Sequence, residues 1–233
     1  MCGRKTLTKG KMEIIEELSI KEWDSSLAIQ PNYNVAPTNI MPILLYDDGR
    51  VVRPMRWGLI PSWTKDAAAV PILINARSES LTQKPSFRGL LNANRCIVIT
   101  DGYYEWRKTT SGKQPFYIHH PQKRLLTMAG LYSQWKDQDG QIRLTYTVIT
   151  TPASAVLQFI HERMPAILTP PQIDAWIDCD RYDPKTALEL LKPSPMPLTT
   201  YPVSAFVNSV RNNSAQCLQP ANLPPGQTSL LND

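Results

Sequence analysis

Residues 95–106 read RCIVITDGYYEW. Cys96 to Ile99 form a short unbroken apolar run, the pattern of a strand buried on both faces, and Asp101-Gly102 ends it in a bend. The same punctuation recurs on either side. Residues 42–58, PILLYDDGRVVRPMRWG, read as strand, Asp-Gly turn, strand. Residues 114–120, QPFYIHH, and 124–135, RLLTMAGLYSQW, are further strand candidates. Residues 136–150, KDQDGQIRLTYTVIT, hold another Asp-Gly turn before an alternation of Leu144, Tyr146 and Val148. The middle of the chain therefore reads as antiparallel sheet.

Helical patterns flank it. Residues 11–23, KMEIIEELSIKEW, place Ile14, Ile15 and Leu18 on one face. Residues 169–178, TPPQIDAWID, offer Thr169 as an N-cap and Ile173, Trp176 and Ile177 as a buried face. Residues 183–192, DPKTALELLK, repeat the device with Asp183 as cap and Pro184 in first position. ASAVLQFI, 153–160, reads as a short apolar helix, and the prolines of 192–202 argue against regular structure there. No repeat or linker divides the chain. The expectation is one α+β domain over residues 1–233, with a core of about 2–213 and a polar, Pro-rich tail, 214–233, loosely held.

Of the 233 residues, 42% are hydrophobic and 19% charged, which excludes a disordered chain. The net charge of +5 makes a polyanionic partner plausible without requiring one. The cysteines, Cys2, Cys96, Cys179 and Cys217, form no C-x-x-C pair, and no zinc spacing appears with His119, His120 and His161. No metal, no cofactor and no membrane span are expected, and the absence of a secretory leader reads as a cytoplasmic, reduced protein. Cys96, inside its strand, reads as a small buried hydrophobe.

The chain opens MCGR. Loss of Met1 would leave Cys2 with a free α-amine, pKa about 7.7–8, beside a thiol near 8.5. That amine can form a Schiff base with an aldehyde. The thiol can then add to the imine and close a five-membered thiazolidine, with a large intramolecular advantage. An N-terminal nucleophile attacking an amide is the alternative chemistry; taken alone, the dipeptide reads first as an idle residue at a frayed terminus. Glu105, between Tyr104 and Trp106, is either a desolvated acid–base group or a residue turned to solvent by strand alternation. Asn75 and Arg77 in INARSES share a face in extended backbone and could hold a phosphodiester or sugar, or Arg77 could pair with Glu79. His161 and Arg163 follow in IHERMP, where a histidine could shuttle protons or serve structure.

Taken in order, MCGR, YNVAPT, WGLIPSW, NARSES, DGYYEW, HERMP and VNSVRNN span residues 1 to about 213. The set resembles the SOS-response-associated peptidase (SRAP) family, the abasic-site processing proteins. The resemblance implies a compact α+β domain around a twisted, barrel-like antiparallel sheet with peripheral helices. It implies a sensor of abasic sites in single-stranded DNA that crosslinks itself through Cys2 to a thiazolidine, shielding the site from strand cleavage. Asn75, Glu105 and His161 would complete the active site. Arg4, Arg77 and Arg163 would contact phosphates, and Pro37 and Trp63 would shape the DNA surface. A monomer acting in the cytoplasm, on the nucleoid if bacterial, is implied, with a single-strand/duplex junction as one candidate geometry. A thiol peptidase using Cys2, on itself or in trans, and a non-catalytic single-strand binder are the rival readings. Lys5, Ser80 and the length of TKDAAAVP, 64–71, depart from the common family pattern.

Overall fold

The burial pattern of residues 95–100 decides the architecture: all six are buried, so this strand has sheet neighbours and packed layers on both sides. In the computed structural model, which describes residues 2–110 and 112–221, it is the seventh of fourteen strands. Before it come β1 (Arg4–Leu7), β2 (Glu22–Trp23), β3 (Asn32–Val35), β4 (Ile40–Tyr46), β5 (Arg50–Trp57) and β6 (Asn75–Arg77). Then follow β7 (Arg95–Thr100), β8 (Gly102–Thr109), β9 (Gly112–His119), β10 (Leu126–Lys136) and β11 (Ile142–Pro152). The last are β12 (Arg163–Pro165), β13 (Ile167–Leu168) and β14 (Thr199–Pro202).

One sheet has the order β14-β9-β8-β1-β3. The other runs β12-β11-β10-β7-β4-β5-β2, with β6 on β11 and β13 on β10. β5 also pairs with β11, so β11, β10, β7, β4 and β5 close on themselves into a barrel. The barrel-like, mostly antiparallel core expected from the sequence is present, with three parallel exceptions. β5 and β6 each run parallel to β11, and β2 runs parallel to β5. Strand alternation carries no information about the direction of a neighbour, so these pairs were not legible. β5 takes Thr145 and Tyr146 of β11, and β6 takes Val148 to Thr150 of the same strand.

β7, β10 and β11 approach closely. A Cβ on Gly130 would lie 2.8 Å from the Thr147 carbonyl oxygen and 3.0 Å from Cys96 Sγ, so only glycine fits. At Gly102 the Tyr117 ring lies where a Cβ would be, which lets β8 turn inward directly after the bend.

The helices sit outside. α1 (Lys11–Leu18) buries Ile14 and Leu18. α2 is a single turn (Pro85–Arg88), α3 (Gln172–Ile177) buries Ile173, Trp176 and Ile177, and α4 (Pro184–Leu188) is capped by the Asp183 side chain, which accepts from Lys185 N and Thr186 N. No helix among the described residues is long and apolar enough to cross a membrane.

Four local expectations are corrected. Thr169 is not an N-cap; its backbone N and Oγ1 both donate to Gln172 Oε1, and Pro171 occupies the cap. Residues 153–160 form no helix: 155–160 are consecutive turns, without the run of i→i−4 bonds a helix needs. Thr199–Pro202 is a strand, because its edge pairing with β9 leaves the proline nitrogen unneeded. Within residues 214–221, placed in the loose tail, Cys217 is fully buried and Val203 bridges to Pro220, which anchors that stretch. The rest of that tail, and Met1 with its expected removal, lie outside the described residues.

Candidate active site at the amino terminus

β1 begins two residues after Cys2, and its pairing decides what meets the terminus. Arg4 lies opposite Tyr104 on β8, so Glu105 follows at the level of the chain start. Asn75 lies opposite Val148 on the barrel strand β11. Its side-chain Nδ2 donates to the carbonyl oxygen of Cys2 at 2.9 Å, across 73 residues of sequence. Asn75 Oδ1 is buried without a hydrogen-bond partner among the described residues. Cys2 itself is wholly buried. Burial, and then the nearby charge of Glu105, push its thiol up to about 12.

Glu105 is not turned to solvent: it is 5% exposed, and its Oε1 accepts from the Trp106 backbone N at 3.2 Å. His161 precedes β12, and its Nδ1 accepts from the Arg163 backbone N at 2.9 Å. The neutral ring therefore carries its proton on Nε2. Glu105 and His161 line one groove of about 780 Å³, together with Gly3, Arg4, Trp106 and the basic residues Arg107, Lys108 and Lys113. A second cleft, about 590 Å³ and lined by Ile40, Pro54, Trp135 and Ile142 among others, contains none of the expected site residues.

The arginines differ in how committed they are. Arg4 Nη1 donates to Asn34 Oδ1 at 2.7 Å and to the Val207 carbonyl at 3.0 Å, and its guanidinium lies 5.9 Å from the Trp106 ring centroid. Arg163 forms a two-pronged pair with Glu79, at 2.6 and 3.0 Å, and also donates to the Thr150 carbonyl at 2.6 Å. Glu79 thus pairs with Arg163, not with Arg77 as its spacing had allowed. Arg77 is exposed at the end of β6. Trp63 is 60% exposed, on a turn whose Thr64 carbonyl accepts from Trp135 Nε1. Pro37 is half-buried in the turn after β3, beside Thr38 at φ +76°.

Two residues were given no structural role in the sequence reading. Asn34, from YNVAPT, is buried, and its Nδ2 donates to the carbonyls of Val207, Ser209 and Asn212, so two distant motifs are tied together under Arg4. Their adjacency was not encoded locally. Lys5 is fully buried, with Nζ against the rings of Trp57 and Tyr146 at 5.4 and 5.3 Å. The visible signal was a lysine in an otherwise inward strand position.

The model for the family described as SOS response associated peptidase matches residues 1–210. The chain belongs to that family. It is 35% identical to abasic site processing protein HMCES of Gallus gallus, over 96% of this chain and 79% of that one. It is 38% identical to abasic site processing protein YoqW of Bacillus subtilis, over 94% and 99%. A crystal structure of a protein from Bacteroides thetaiotaomicron superposes with a TM-score of 0.83 at 28% identity, covering 94% of this chain and all of that one. The SOS response associated peptidase fold thus accounts for the barrel-like core, and the match covers each of the expected site residues.

Proposed function

We propose that this protein captures abasic sites in single-stranded DNA through Cys2, a reading supported by the names of its relatives and by the terminal site together. The observation that carries the reading is the fixing of Cys2 by Asn75 within the field of Glu105, at the groove that holds His161.

The reaction follows from the groups present. With Met1 gone, the Cys2 amine attacks C1′ of the ring-opened sugar, and the carbonyl oxygen leaves as water. Glu105 serves as the acid that opens the sugar ring and releases that water. The resulting Schiff base is a lyase-type intermediate from which β-elimination would cut the strand. Addition of the Cys2 sulfur to C1′ removes the imine and leaves a thiazolidine, which protects the strand. His161, with its proton on Nε2, faces the same groove and moves protons during imine formation. Asn75 holds the Cys2 carbonyl so that the terminus cannot swing out.

Arg77, Arg163 and Arg4 serve the phosphates, with Pro37 and Trp63 shaping the surface, in a sequence-independent, salt-sensitive manner. The protein acts as a monomer in the cytoplasm, on the nucleoid in a bacterium, as part of the response to DNA damage. A thiol peptidase with Cys2 as nucleophile, acting on itself or in trans, is the alternative reading, and it requires turnover of a peptide.

The test is a denaturing gel of mature protein with a single-stranded oligonucleotide carrying one abasic site. A slow-migrating, borohydride-independent band is expected. Cys2→Ala should give a band only when borohydride is added, with strand cleavage otherwise. Equal crosslinking by Cys2→Ala without borohydride sinks the proposal.

A further inference from the structure

Three cations of the Glu105–His161 groove have no part in the mechanism, and all three belong to one hairpin. β1 pairs with β8 only at residues 102–104, and β14 pairs with β9 only at 116–119. Further out, β8 and β9 have only each other as strand neighbours: Arg107 lies opposite Gln114, and Lys108 lies opposite Lys113. The hairpin end is therefore a two-stranded ribbon standing beside the groove, and it contributes Arg107, Lys108 and Lys113 to the lining. Residues 158–162 line the same groove, and Phe159 joins the two parts. Its ring meets Phe116 of β9 edge-on at 5.7 Å, and the Arg107 guanidinium lies 5.6 Å from its centroid.

The charge on this ribbon is uncompensated. Lys108 and Lys113 are exposed, and like charges directly opposite each other in a ladder repel. A ribbon without a third strand has little stability to spare for that repulsion. Among the described residues no carboxylate pairs with Arg107, Lys108 or Lys113. The contact with Phe159 positions Arg107 without engaging its N–H donors. Three positioned, unpaired cations beside the reacting centre suit an anion from outside.

Resting on the crosslinking reading above, we infer that the β8–β9 ribbon is a phosphate clamp for the single strand flanking the reacting sugar. Neither Arg77 nor Arg163 lines this groove, so the ribbon serves a stretch of backbone that those two do not. Lys108 stands three residues beyond Glu105, about 10 Å along β8. A stacked strand advances about 3.4 Å per nucleotide, so the clamp meets phosphates about three nucleotides from the sugar at Glu105. Lysine ammonium groups on an exposed ribbon read charge and not base identity, so the grip is independent of sequence.

Binding to an intact strand needs no reaction at Cys2, so the outcome is separable from failure of the crosslinking reading. Fluorescence anisotropy of an intact single-stranded oligonucleotide is followed over a salt series. The double variant Lys108→Gln, Lys113→Gln should bind about 25-fold more weakly than wild type at about 0.1 M salt and converge with it near 1 M, because each lost phosphate contact takes about 0.7 from the log–log slope. Its melting temperature should equal or exceed that of wild type, since the repulsion across the ribbon is gone. Lys113→Glu, which would face Lys108 with an opposite charge, should be more stable than wild type and still bind more weakly. A control loses the same two charges at Lys185, on α4, and at Lys192, both exposed and both outside the groove, and should keep the wild-type affinity and slope. Wild-type affinity and slope in the ribbon variant overturn the inference, and so does a control that weakens binding equally.

Discussion

Asn75 Nδ2 donates to the carbonyl oxygen of Cys2 at 2.9 Å, and this bond ties the chain terminus to the barrel. The Asn75 backbone is fixed by parallel pairing with Val148, so the amide is aimed by the barrel and not by a loop. Asn75→Ala should slow crosslinking about tenfold, the rate equivalent of one hydrogen bond of about 1.4 kcal/mol. Asn75→Asp should be slower still, since a carboxylate would face the carbonyl oxygen. Single-turnover rates on abasic oligonucleotide check both. Unchanged rates would remove Asn75 from the site.

Lys5 makes stability depend on pH. Its folded-state value, about 7, lies below the unfolded one near 10.4. Between these the unfolded chain holds the extra proton, so stability rises as pH increases from about 7 toward 9. Below pH 7 the full cost of the buried ammonium is present. Lys5→Met should raise the melting temperature at pH 6–7 and flatten the profile, as differential scanning calorimetry across pH would show.

Glu79 holds Arg163 through two hydrogen bonds, yet the carboxylate is 53% exposed. The Arg163 end is only 11% exposed and the pairing is two-pronged, so the bridge is worth more than a surface pair, about 1–3 kcal/mol. Glu79→Gln should therefore lower the melting temperature modestly. It should tighten binding to intact single-stranded DNA several-fold and steepen the salt dependence, because Arg163 becomes available to phosphate. Fluorescence anisotropy over a salt series reads this directly; weaker binding would mean that Glu79 positions Arg163 instead.

Asn34 links Arg4 to residues 207–212 through four side-chain hydrogen bonds. Asn34→Ala removes one bond from each of these carbonyls and the side-chain acceptor of Arg4, and should cost about 1–3 kcal/mol. Urea denaturation gives the loss, and limited proteolysis should show first cleavage near residues 207–212.

The strands were legible because their chemistry is local. The buried run at Cys96–Ile99, the Asp-Gly turns at 48–49 and 139–140, and the Asp183 cap each carry their signal within a few residues. The parallel placement of β5 and β6 on β11 was not legible, since it depends on partners distant in sequence. The site divides the same way. Cys2, Asn75, Glu105 and His161 were named from motifs and their order, and the carboxylate proved buried where alternation alone left it open. Glu79's choice of Arg163, Asn34's hold on three carbonyls and the enclosure of Lys5 arise only when remote strands come together.

The most direct test of the central claim is mass spectrometry of the amino-terminal peptide after reaction of mature protein with abasic single-stranded DNA and nuclease digestion. The account predicts a sugar adduct less one water on Cys2, with its amine and thiol both blocked and its mass unchanged by borohydride. An adduct on any other residue, or a Cys2 adduct whose thiol still alkylates, would contradict it.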